Sequence, residues 1–152
     1  MLLLNQRSVG VTDNSNEFHT MKGYEQSGQA VLTASMEDYL EMIYRLLHSG
    51  ARVRVNDLAA MLHVKPSSAS KMVLQLKDAG YLEAEKYGAI SLTGKGYARG
   101  EYLLYRHNVV HKFLCLLNDS ENQLEQAEKI EHYLSADTVE NLNRLTHRLT
   151  ED

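Results

Sequence analysis

The chain has 152 residues, 43% of them hydrophobic and 24% charged, with a formal net charge of -4; that is enough apolar content for one shared core and too little for two large independent domains. No stretch approaches the ~20 apolar residues of a membrane-spanning helix, and no basic lead with a long apolar run opens the sequence, so a soluble, cytoplasmic protein is expected. The single cysteine, Cys115, excludes a disulfide framework within one chain.

Residues 1–33 are polar with isolated apolar positions and no sustained periodicity, and are read as a flexible arm to which no function is assigned. A helix is expected from about 35 to 48, with Ser35 as its cap, Leu40, Ile43 and Leu47 at core spacing, and Gly50 as its end. Val55 to Leu62 reads as a second short helix. The only proline, Pro66, opens a third that runs to about Ala79 with Ala69, Met72, Val73 and Leu76 as one apolar stripe and Gly80 beyond it. Partial alternation from Tyr81 to Thr93, on both sides of Lys86-Tyr87-Gly88, predicts a two-stranded ribbon. A long helix follows from Thr93-Gly94 to about Leu117, then a polar break at Asn118-Asp119-Ser120, a helix from about Glu121 to Leu134 and another from Ser135 to about Leu149. The fold class is thus mainly α: an N-terminal winged helix-turn-helix of three helices and a two-stranded wing over 34–93, then an all-helical domain over 94–152.

The net acidity argues at first against nucleic acid, whose binding rests on neutralised phosphates. Its distribution reverses the argument. Residues 51–100 carry eight Lys or Arg against four acids, whereas the remainder carries eight against sixteen, as expected of a basic reading head on an acidic body. A helix in the major groove keeps one apolar face for its core and turns small polar or cationic side chains outward. Ser67, Ser68, Ser70 and Lys71 on the third helix do this, with Lys65 just before it and Lys86 and Tyr87 at the ribbon tip placed for flanking phosphates. The plainer alternative is a packing unit with a solvated polar face.

The acidic body holds two clusters at helical spacing. Asp38 and Glu41 are three apart on the first helix, Glu128, Glu131 and His132 fall on a later one, and His107 lies on the long helix between them. Carboxylates with one or two imidazoles and no thiolate suit manganese or ferrous iron better than zinc or copper. Converging carboxylates repel one another, so a pair of divalent ions is electrostatically reasonable. Each cluster alone is equally consistent with a solvent-facing helix surface, and Asp38 with a capping box begun by Ser35.

The runs Ser35-Met36-Glu37-Asp38-Tyr39-Leu40-Glu41, Pro66-Ser67-Ser68-Ala69-Ser70-Lys71-Met72-Val73, Tyr105-Arg106-His107 and Glu128-x-Ile130-Glu131-His132 closely resemble the diphtheria-toxin-repressor family of metal-dependent regulators, in its manganese-responsive branch. The resemblance covers about residues 34–149. It implies a homodimer joined through a helical dimerisation domain, and a repressor of manganese uptake genes that binds palindromic double-stranded operator DNA when loaded with Mn2+, with Fe2+ or other divalent ions as further candidates. It also implies two ions per subunit, one favoured by Asp38 and His107, the other by Glu41 and His132, with Glu128 and Glu131 shared. Competing readings are a winged-helix regulator that senses iron or an organic ligand, and, more distantly, a dinuclear carboxylate enzyme. No membrane and no organic substrate is expected.

Overall fold

The computed structural model describes residues 32–86 and 88–151. The arm expected over residues 1–33 therefore lies almost wholly outside the described residues, as does Tyr87 at the ribbon tip.

Helix α1 spans Ala34–His48, α2 Val55–Met61 and α3 Pro66–Asp78. Strands β1 (Leu82–Ala84) and β2 (Ile90–Leu92) pair antiparallel in the register Leu82 to Leu92 and Ala84 to Ile90. They are followed by α4 (Gly94–Asn118), α5 (Leu124–Ile130), a 3-10 turn (Glu131–Tyr133) and α6 (Ala136–Thr150). The cap of α1 is Thr33 rather than Ser35: its Oγ1 accepts from Met36 N at 3.2 Å, so the helix starts one residue earlier than expected and Asp38 is freed from capping. Asp57 serves α2 by accepting from Arg54 N at 3.0 Å. Pro66 opens α3 where its missing N–H is no loss, and past its C-terminus Gly80 turns the chain at φ 83°, a left-handed conformation natural to glycine.

The reading head buries Leu40, Ile43, Leu58, Leu76, Leu82, Ile90 and Leu103 almost completely. Burial of such side chains stabilises by roughly 1.5–3 kcal/mol each. Leu103 belongs to α4, so the long helix is part of the head's core. A smaller core of Val110, Leu114 and Ala127, with Phe113, Leu134 and Leu142 against it, gathers the C-terminal elements. The close approach of α4 to α1 depends on Gly100: a Cβ there would lie 2.6 Å from the Cβ of Tyr44. Among the described residues no helix is long and apolar enough to cross a membrane.

The one element that departs from expectation is the helix awaited over Glu121 to Leu134. Helix α5 covers only Leu124–Ile130, and the backbone then tightens into the 3-10 turn Glu131–Tyr133. Winding of three residues per turn rather than 3.6 changes the direction of the side chains that follow Glu131. Glu128, on the last turn of α5, is exposed, whereas Glu131 is buried.

Candidate metal centre

Three segments converge where α1 crosses the second half of α4 and the 3-10 turn. Asp38, Glu131 and His132 each bring a ligand-capable atom to within 4.8 Å of one another, and so do Glu41, His107 and Glu131. Glu131, only 2% exposed, belongs to both groups. Five of the six residues singled out from the sequence are thus brought together, as two triads that share one carboxylate. Glu128 stands exposed on the last turn of α5 and outside both. The side chains group differently from the pairing implied by the family resemblance: Asp38 lies with His132 and Glu41 with His107. The 3-10 turn carries His132 toward the start of α1, and His107 on α4 meets Glu41 one helical turn later on α1.

Each triad is held together by a hydrogen bond between its imidazole and one of its carboxylates. His107 Nδ1 lies 2.9 Å from Glu131 Oε2, and His132 Nε2 3.0 Å from Asp38 Oδ1. On the other side of its ring, His132 Nδ1 lies 3.2 Å from Glu37 Oε1. Carboxylates beside both nitrogens favour the protonated ring, while Arg106 Nη2, 3.3 Å from the same Nδ1, can only donate to it. The hydrogen bonds to Asp38 and Glu37 accordingly push His132 up to about 9, against the opposing effect of burial. His107 is raised by its bond to Glu131, again against burial. Burial pushes the Glu41 carboxyl upward, as does the charge of Glu131, while Arg45 opposes both.

Glu37 is a residue that the sequence reasoning passed over. It is buried, and receives Arg99 Nη2 at 2.8 Å and both terminal nitrogens of Arg106 at 3.3 Å. Burial raises its carboxyl, but the His132 bond and the two guanidinium groups outweigh this and hold it below its ordinary range. As an acid in the first turn of a helix, beside Asp38, it looks like a partner of the helix dipole; only tertiary contact with α4 reveals its role. Its position behind His132 is that of the carboxylate that commonly fixes the tautomer and orientation of a metal-binding imidazole.

The donor set fits a divalent ion of intermediate hardness. It offers oxygen and imidazole nitrogen from elements already in place, and Asp38 is half exposed, which leaves an approach from solvent. Cys115 lies in neither triad.

The other face of the head is a cleft of about 1060 Å³ between α3 and the wing, lined among others by Ser67, Ser70, Lys71 and Lys86. Lys65 and Ser68 are exposed at the N-terminal turn of α3 but do not line it. Arg54 and Asn56, at the start of α2, line it as well. Neither was singled out from the sequence, where Arg54 counted only toward the local basic excess. Lys77 Nζ donates to Ala84 O at 2.9 Å and so fastens α3 to the wing.

Comparison with known proteins agrees with this architecture. The family described as iron dependent repressor, N-terminal DNA binding domain, matches residues 31–90, and that described as iron dependent repressor, metal binding and dimerisation domain, matches residues 93–152. The HTH-type transcriptional regulator MntR of Geobacillus thermodenitrificans is 42% identical over 121 residues, 79% of this chain and 86% of that protein. MntR of Bacillus subtilis is 41% identical over the same share of this chain and 85% of its own. Among solved structures, the manganese regulator SloR superposes with a TM-score of 0.66 at 29% identity over 76% of this chain and 55% of its own. The metal-dependent transcriptional regulator MtsR does so with a TM-score of 0.67 at 25% identity over 75% and 54%. The chain spans about half the length of these two solved proteins.

Proposed function

We propose that this chain, which belongs to the iron-dependent repressor family of DNA-binding transcriptional regulators and not to the enzymes, is a manganese-responsive repressor acting as a cytoplasmic homodimer on a palindromic operator. The observation that carries the manganese assignment is the pair of oxygen- and imidazole-rich triads that share Glu131 and join α1 to α4 and the 3-10 turn. The names of the relatives, MntR and the manganese regulator SloR, support the same ion. The two triads support a reading of two ions per subunit, with Glu128, three residues before Glu131 in the chain, as a further carboxylate.

Helix α1 lies in the reading head and its Asp38 and Glu41 face groups carried by the C-terminal half of the chain. A divalent cation held there supplies the positive charge that allows Asp38, Glu41 and Glu131 to stand together and gives α1 and the C-terminal elements a common anchor. Glu37 keeps its bond to His132 Nδ1, so Nε2 remains aimed at Asp38. Arg99 and Arg106 hold Glu37 from α4, so the carboxylate behind the ring is itself fixed. The recognition helices of a dimer must sit about 34 Å apart to enter successive major grooves. A head whose orientation is fixed beforehand loses less freedom on docking. A coupling of ~1–3 kcal/mol, about 5- to 150-fold in DNA affinity, suffices for a switch of this kind.

On the DNA side, Ser67, Ser68, Ser70 and Lys71 on α3 serve as the groove-reading face, with Lys65, Lys86 and Tyr87 on the flanking backbone. The test is to select duplexes from a random library with the manganese-loaded protein, then to measure affinity for the selected duplex by fluorescence anisotropy with manganese and with chelator. Tighter binding by at least fivefold with manganese is expected. Equal affinity in both conditions overturns the proposal in favour of a regulator that needs no metal.

A further inference from the structure

Arg45 stands one helical turn after Glu41 on α1, and two of its nitrogens converge on a single carboxylate oxygen: Nη2 at 2.7 Å and Nε at 2.9 Å from Glu41 Oε2. Two donors on one oxygen make a strong, charge-assisted contact. The oxygen belongs to a side chain of the inner triad, and the Glu41 side chain is 14% exposed against 37% for Arg45. The guanidinium therefore reaches the triad from its solvent side. The Asp38 triad is placed differently. The cations around it, Arg99 and Arg106, pair with Glu37, which is not a member of the triad, and Arg106 touches the triad only at His132 Nδ1.

We propose that Arg45 is a built-in competitor for the metal: it occupies Glu41 in the metal-free chain and weakens divalent binding at the Glu41–His107–Glu131 triad, so that this triad fills at higher free manganese than the Asp38–Glu131–His132 triad. The reasoning is electrostatic. In the metal-free chain Glu41 and Glu131 repel each other, and Arg45 offsets that repulsion. A divalent ion entering the triad must share Glu41 with a guanidinium or displace it, and like charges this close oppose each other even through the high effective dielectric of a protein surface. Among the described residues no guanidinium is paired with Asp38; Arg106 Nη2 lies 3.3 Å from His132 Nδ1, the ring nitrogen turned away from Asp38. Arg45 would thus set the manganese concentration at which the inner site, and with it the fully loaded regulator, is reached. This inference rests on the reading of both triads as manganese sites.

The experiment is a manganese titration of the full chain followed by the electron paramagnetic resonance signal of free Mn2+, which disappears on binding. Five proteins are compared: wild type, Arg45→Met, Arg45→Lys, and Arg45→Met combined with either Asp38→Ala or Glu41→Ala. Methionine keeps the apolar stem and removes the charge; lysine keeps the charge and loses the fork. Arg45→Met is expected to tighten the weaker site roughly 3- to 10-fold, the range that follows from removing a partly exposed ion pair and a nearby like charge. The gain should persist with Asp38→Ala, which leaves the inner triad intact, and vanish with Glu41→Ala; Arg45→Lys should retain most of the wild-type weakness. Unchanged binding in Arg45→Met, or a gain that survives Glu41→Ala, overturns the proposal while leaving the sites in place. A wild-type chain that binds no manganese overturns the site reading itself, and this inference with it.

Discussion

Removing Glu37 should be among the most damaging single changes available to the metal-free protein, and for a reason that can be worked from its contacts. Arg106 is 3% exposed, and its charge is met by the two oxygens of Glu37 at 3.3 Å each. Its Nε is already without a hydrogen-bond partner among the described residues. Glu37→Ala would strand that guanidinium in the interior and release one side of the His132 ring. Breaking a buried pair by removing one member costs ~3–5 kcal/mol, whereas replacing both members by apolar residues of similar volume is often neutral. The assay is urea denaturation of metal-free protein at neutral pH. With a dependence of ~2 kcal/mol per molar urea, the midpoint should fall by about 1.5–2.5 M for Glu37→Ala. The double variant Glu37→Leu, Arg106→Met should recover most of that loss. Arg99→Ala should cost less than ~1 kcal/mol, because Arg99 is one third exposed and its pair is screened. A midpoint for Glu37→Ala within 0.3 M of wild type, or a double variant less stable than the single, would refute the reasoning.

Other outcomes follow from the same geometry. Glu131→Ala should abolish binding of both ions in a manganese titration, whereas Asp38→Ala and Glu41→Ala should each leave one; retention of both ions in Glu131→Ala would remove the shared carboxylate from the account. Protonation of His132 and His107 stabilises the metal-free fold fully below the ordinary value of 6.5 and is lost as pH rises through about 9 for His132, while the lowered Glu37 stabilises above its ordinary 4.5 and is lost as pH falls through its folded value. Metal-free stability should therefore be greatest between about pH 5 and 6.5 and decline toward pH 9, with manganese affinity rising over the same interval as the ring proton is displaced; a urea midpoint that does not move from pH 6.5 to 9 would contradict this. Gly100→Ala should destabilise by ~1–3 kcal/mol, since its Cβ would press on Tyr44, and a neutral substitution would show that α4 can move away from α1. Lys71→Ala should reduce the slope of log affinity against log salt by ~0.9 if that residue meets a phosphate, and an unchanged slope would place it outside the DNA contact.

Much of this architecture was legible in the sequence because local signals agree with the fold. The Leu40, Ile43 and Leu47 spacing, Pro66 at a helix start, Gly80 at a helix end and the ribbon about Lys86 each encode a local conformation that tertiary packing leaves in place. The site was legible only in part, since residue types survive without knowledge of winding but their grouping does not. The helix expected through Glu128, Glu131 and His132 ends at Ile130, where α5 gives way to a 3-10 turn, a change with no proline or glycine to announce it. The pairing of Asp38 with His132 and of Glu41 with His107 depends on how α1 crosses α4, a contact separated by more than sixty residues of chain. Glu37 was invisible for the same reason: its partners Arg99, Arg106 and His132 lie far along the sequence.

The central claim, that a cation held through Glu131 joins the reading head to the C-terminal helices and thereby governs DNA binding, is tested most directly by one ratio: the affinity for the selected operator with manganese over that with chelator, in wild type and in Glu131→Ala. A ratio of at least 5 that collapses to about 1 in the variant, with chelator-state affinity unchanged, is expected from the coupling assigned here. A variant that keeps the wild-type ratio would contradict it.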